Sequence, residues 1–251
     1  QKTAYEIPKR DWEFRRVLFR SERGVRNIYA ADGPFDVAQG KPAVGVRKLT
    51  NNTQDDGQEL TNLSFSPDGK TIVYVRGGDH GGSRPGDAPN PNAEPVAPKM
   101  QIWSVAAAGG VAPKLLADGD APVISPDSRR VAFTRERKIF VASLDASTPL
   151  GASGGDKPEP MFSARGTSES PTWSPDGKTL AFVSNRGDHS FIALYTPGQP
   201  IRYVNPKTAH DEDPVWSMDG KRIAFTRSPG DRKSTRLNSS HVSESRMPSS
   251  A

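Results

Sequence analysis

Residues 151–155 read GASGG and satisfy the G-x-S-x-G pattern that presents a nucleophilic serine on a sharp strand-to-helix turn. Such an elbow needs a buried strand directly before Ser153 and a helix directly after it. The flanks here are STPL and DKPEP, with a proline on either side and no helical period. Ser153 therefore reads as a loop residue, and no catalytic residue is assigned. The chain holds no cysteine, which removes disulfides, thiolate metal sites and a cysteine nucleophile. His80, His189 and His210 fall in no metal-ligand spacing, and no phosphate-binding G-x-x-x-x-G-K-[ST] occurs. Neither a metal nor any other cofactor is expected.

The remaining chemistry lies in polar loops. Two stretches, GGDHGG and RGDHSF, place Asp79 beside His80 and Asp188 beside His189. Arg76, Arg135, Arg186 and Arg227 end strands or begin the loops that follow them. If the strands are equivalent, these groups share one face, where guanidinium forks could hold peptide carboxylates or a neighbouring domain. The alternative is a solvated rim whose Asp and His side chains cap local turns. The RGD tripeptide, residues 186–188, reads as a loop leaving a strand rather than an adhesion signal. TAHDEDP, residues 208–214, reads first as an inter-blade loop rich in acids, and second as an incidental cation site.

A repeat positions these loops. LSFSPDGKTIVYVRG, PVISPDSRRVAFTRE, PTWSPDGKTLAFVSN and PVWSMDGKRIAFTRS share one pattern of short strand, tight turn and apolar strand. Proline presets the first central turn position, aspartate can accept backbone bonds, and glycine accepts positive φ. Ser128 stands in the glycine position of the second copy, and Met218 in the proline position of the fourth. The marker serines, Ser66, Ser125, Ser174 and Ser217, are spaced by 59, 49 and 43 residues. That period, with four strands per unit, is the signature of propeller blades.

The sequence thus predicts an all-β partial β-propeller of about three complete four-stranded blades plus pieces of two. NIYAA and VRKLT supply strands of an early blade. QIWSVAA with PKLLAD, KIFVASLD with EPMFSA, and FIALYTP with IRYVNP complete the next three. Residues 77–98, dense in Gly, Pro and Asn, explain the longest spacing as a loop within one blade. Trp103, Trp173 and Trp216 are expected to pack between blades. Closed propellers usually need about four to eight blades, so the arc should expose edges and dissolve poorly alone.

Both termini fall outside this pattern. Residues 231–241 and 246–251 back-translate into DNA that resembles a short-read sequencing adapter. Residues 1–7 and 13–21 resemble the partner strand of the same oligonucleotide family. Residues 1–21 and 231–251 are therefore read as adapter-derived, disordered ends, and residues 22–230 as the propeller. The net charge of +5 divides accordingly: the first segment carries +3, the last +2, and residues 22–230 are formally neutral. No nucleic-acid partner follows from the basic composition. No apolar run approaches the ~20 residues of a membrane span, so no membrane partner is expected.

The strand–SPDG–strand signature resembles the WD40-like repeat of TolB and of the N-terminal domains of prolyl oligopeptidase-family serine peptidases. LTNNTQDDGQELTNLSFSPDG, YVRGGDHGG and AFVSNRGDHSFIALY are most similar to bacterial members related to dipeptidyl peptidases. The resemblance implies a non-catalytic domain that gates substrate entry and docks a C-terminal α/β-hydrolase domain of the same chain. It also implies a peptide substrate for the parent protein and a periplasmic or secreted location. The Ser–Asp–His triad of that hydrolase and the paired glutamates that capture a substrate N-terminus are not found. The other readings are a TolB-like periplasmic protein-binding propeller without catalysis, and a sensor propeller attached to another enzyme.

Overall fold

The computed structural model describes residues 16–22, 25–31, 45–54, 56, 58–77, 99–145 and 159–229. All regular structure among them is β. The first sheet joins β1 (Arg16–Glu22), β2 (Val25–Ala31) and β3 (Val46–Lys48), each pair antiparallel. β1 runs across the expected boundary after Ser21. A complete blade follows, made of β4 (Leu60–Phe65), β5 (Thr71–Arg76), β6 (Gln101–Ala106) and β7 (Lys114–Asp118) in that order.

The next blade contains β8 (Asp120–Ile124), β9 (Arg130–Arg135) and β10 (Lys138–Ser143). Its expected outer strand, EPMFSA, is not regular β: one backbone bond, Met161 N–H to Ile139 O at 2.8 Å, marks where it would lie. A third blade joins β11 (Thr167–Trp173), β12 (Leu180–Asn185), β13 (Ser190–Tyr195) and the two-residue β14 (Arg202–Tyr203). The last hairpin pairs β15 (Ala209–Trp216) with β16 (Ile223–Pro229). TAHDEDP thus lies largely in β15 and is not a loop, because residues 209–212 pair with β16 and Ala209, Asp211 and Pro214 are buried while Glu212 and Asp213 face outward.

The second strand of each of the first three units carries an unbroken apolar run because blades cover it on both sides. In β5, Ile72 and Tyr74 face the first sheet, and Val73 and Val75 face β9 and β10. In β9, Val131 and Phe133 face the preceding blade, and Ala132 faces the following one. This is the two-residue period of a strand applied to two cores at once. Each buried Ile, Val or Phe contributes roughly 1.5–3 kcal/mol.

The four turns repeat to the atom. Ser66, Ser125, Ser174 and Ser217 donate Oγ–H to the aspartates two residues on, at 2.5–2.6 Å. Each serine Oγ also accepts the backbone N–H five residues ahead, at 2.9–3.0 Å. These bonds hold the Asp68, Asp127, Asp176 and Asp219 carboxyls below the usual carboxylate range, the serine hydroxyl being the largest cause. The turn ends in the left-handed region at Gly69, Gly177 and Gly220, and at Ser128 with φ 59°.

Candidate functional site

The face opposite these turns carries the predicted arginines. Arg76, Arg135 and Arg227 each stand ten residues after their turn serine and so share one register. Arg186 does not belong to it. The equivalent position in that blade is Ser184, fully buried with an Oγ that has no partner, and Arg186 lies two residues further on. β12 ends at Asn185, so Arg186 opens the loop that follows it.

Two of the three arginines in register already hold an internal carboxylate. Arg76 Nη2 lies 2.5 Å from Asp56 Oδ2. Arg227 forks onto Asp211, at 2.5 Å from Nε and 2.8 Å from Nη2, and its Nη2 also reaches Asn205 O at 2.9 Å. Asp211 is fully buried, and the bond to it holds the Arg227 guanidinium above its ordinary range. Arg135 is different: its nearest carboxylate is Glu136, at 3.9 Å.

Arg186 instead donates Nη2–H to Tyr203 Oη at 2.9 Å, with Cζ 5.9 Å from the ring centre. Its backbone N–H bonds His189 O, which closes the β12–β13 hairpin. His189 Nδ1 lies 2.7 Å from the exposed Asp188, and the imidazole packs 4.8 Å from Phe191. This group is a hairpin clasp on the outer part of one blade. Asp79, His80 and Ser153 lie outside the described residues.

The sequence did not reveal a bulge that recurs in every first strand. Asn62, Ala121, Ser170 and Asp213, each four residues before a turn serine, adopt φ of 52°, 48°, 48° and 52°. Each inserts one residue, so the register shifts between Thr61 and Ser64, Asp120 and Val123, Glu169 and Thr172, and Glu212 and Val215. The shift sets Asp211 directly across from Arg227. It also aims Asp120 and Glu169 toward a cleft of about 590 Å³ that Arg135, Glu136 and Arg137 share. Arg135 is thus the predicted residue best placed to meet a partner, among acids as well as cations. No cluster of metal-ligating groups occurs among the described residues.

Blade-to-blade contacts define the class. Trp173 donates its indole N–H to Val123 O of the preceding blade, and Trp216 does the same to Thr172 O, at 3.1 and 3.3 Å. With stacked four-stranded units and interblade cores, the chain is an open β-propeller arc. No protein-family model and no curated protein matches it. Solved structures do. A puromycin-hydrolysing peptidase of Mycobacterium tuberculosis is 16% identical over 84% of this chain and 35% of its own, with a TM-score of 0.53. Prolyl oligopeptidase B from Galerina marginata is 12% identical over 84% of this chain and 32% of its own, also at 0.53. TolB from Acinetobacter baumannii is 15% identical over 85% of this chain and 51% of its own, at 0.45. The chain spans about a third of the length of those peptidases and half that of TolB. The two peptidase likenesses show the fold.

Proposed function

We propose that residues 22–230 are a piece of the non-catalytic propeller of a prolyl oligopeptidase-family serine peptidase, flanked by adapter-derived ends. In the parent protein the propeller restricts entry to small peptides and docks a C-terminal α/β-hydrolase domain. The observation that carries this reading is the uncovered end of the arc. The register that is buried as Ile72–Val73–Tyr74, Val131–Ala132–Phe133 and Leu180–Ala181–Phe182 is half-exposed or exposed at Ile223, Ala224 and Phe225. Val215 and Met218 beside it are 61% and 90% exposed. A further blade would cover that surface, as each earlier blade is covered. The peptidase-like wording of LTNNTQDDGQELTNLSFSPDG and AFVSNRGDHSFIALY selects among propeller-bearing proteins.

The test is to sequence outward from residues 22 and 230 in the parent gene. Further blades followed by a strand–G-x-S-x-G–helix segment would support the peptidase reading. A frame that closes after its last blade, with a small α/β domain ahead of the propeller, would replace it with a TolB-like binding module.

A further inference from the structure

A second cleft, of about 550 Å³, lies where the first sheet meets the complete blade. Its walls combine an apolar surface, Leu49, Val111 and the Trp103 ring, with the hydrogen-bonding groups of Lys48, Tyr74 and Arg76. No carboxylate lines it among the described residues, whereas the cleft beside Arg135 holds Asp118, Asp120, Glu136 and Glu169. The two interblade clefts therefore differ in charge. One is mixed, and the other is lined by Lys48 and by Arg76, which already pairs with Asp56 outside the lining, together with the neutral groups of Thr50, Asn51 and Asn52.

The decisive group is the Trp103 indole. Its Nε1 is buried and has no hydrogen-bond partner, although Trp173 and Trp216 both satisfy theirs on a neighbouring blade. A buried unpaired donor costs roughly 1–3 kcal/mol, and an acceptor in the cleft would recover it once a small turn of the ring brings the Nε1 edge to the cavity. Tyr74, opposite Trp103 in the β5–β6 register, lines the same space. Burial pushes its phenol up to about 12, so it stays a neutral donor at physiological pH. Lys48 is exposed at the mouth, and its ammonium makes one long bond, 3.4 Å to Asn51 Oδ1.

We propose that this cleft binds a small molecule with an apolar body and a single carboxylate. The body lies against Trp103, Leu49 and Val111. The carboxylate accepts from the Trp103 indole N–H and the Tyr74 hydroxyl, with Lys48 supplying charge at the mouth. The site stands independently of the peptidase reading, since it lies on the first two sheets, far along the chain from the uncovered last hairpin that carries that reading.

The full chain, labelled with ¹⁵N, is titrated with 3-phenylpropionate while the indole N–H signals of its four tryptophans are followed. Trp103→Phe assigns the Trp103 signal, and unmoved Trp173 and Trp216 signals show that this variant keeps its fold. The expected result is a saturable shift confined to Trp103, with Kd on the order of 1 mM for a ligand of this size. The exposed Lys48→Met variant should bind roughly threefold to fivefold more weakly. The uncharged 3-phenylpropanamide should bind more weakly still. A Trp103 signal that does not move would overturn the proposal. So would equal binding by the amide, or unchanged binding by Lys48→Met.

Discussion

Arg227 closes a two-bond fork on Asp211, a carboxylate with no exposed surface, across a hairpin whose register is set by a left-handed bulge at Asp213. Without the inserted residue, Asp211 would face Ser228 instead. One backbone irregularity thus decides whether the last blade contains a satisfied ion pair or a stranded acid. Removing the guanidinium leaves a desolvated charge, a change that costs about 3–5 kcal/mol for fully buried pairs. Arg227 is a quarter exposed, so Arg227→Ala should destabilise the last hairpin, by less than the loss of one partner of a fully buried pair. Hydrogen exchange should show it first as faster opening of β15 and β16. Unchanged protection of those strands would contradict the role given to the pair.

The four turn aspartates make the fold sensitive to acid. Their carboxyls titrate below the unfolded value of about 3.9, because serine hydroxyls and backbone N–H groups bond the charged form. A depressed folded pKa contributes stability that is fully present above the unfolded value and is lost as pH falls through the folded one. Thermal melts should therefore hold steady from pH 7 to about 5 and drop below about 4. Ser174→Ala should raise the Asp176 pKa toward its ordinary range, read by NMR titration of that carboxyl. An unmoved Asp176 would show that the backbone bond from Lys178 suffices.

The β9–β10 hairpin turns on Glu136 and Arg137, with φ of 50° and 58° between paired Arg135 and Lys138. Both central residues therefore sit where Asn-Gly is the preferred pair for a two-residue loop. The only ion pair near the turn is Arg135–Glu136 at 3.9 Å, among the described residues, and its loss matters little. The double change Glu136→Asn, Arg137→Gly should stabilise the chain by roughly 0.5–1 kcal/mol, after allowing for the extra freedom glycine gives the unfolded chain. A raised urea midpoint with an unchanged slope is the expected reading.

What the sequence disclosed follows from where chemistry is local. Pro67, Asp68 and Gly69 announce a turn because each residue type meets one torsional or bonding demand of that turn. Val131–Ala132–Phe133 announces a strand buried on both faces because its apolar run is unbroken. The left-handed bulge had no such signal. Asn62, Ala121, Ser170 and Asp213 share no residue type, so no local preference common to the four marks the position. Every feature that depends on the shifted register was hidden with it, including the Asp211–Arg227 pair. Arg186 opens the loop after β12 and stands two residues beyond the register of the other three arginines, a difference seen only by counting from the turn serine. The Trp103 cleft was hidden because the choice between a bonded and an orphaned indole depends on the distance to a neighbouring blade.

The arc should lose order from its last blade inward, and the two indole staples measure the gradient. Trp173 is 6% exposed and belongs to the core shared with Ala132, Ile139 and Phe182. Arg130 also stacks on it at 4.8 Å. Trp173→Phe removes the bond to Val123 O and opens a void in that core, at a cost of about 2–3 kcal/mol. Trp216 makes the same kind of bond, at 3.3 Å, from a strand whose face is half open. Its side chain is partly exposed where Trp173 is buried, and the bond is longer. Trp216→Phe should therefore cost about 1 kcal/mol or less. Urea unfolding of the two variants, followed by the remaining tryptophans, gives the comparison directly. Equal costs would mean that the last hairpin is held as firmly as the interior blades, and the uncovered end of the arc would then need another source of support.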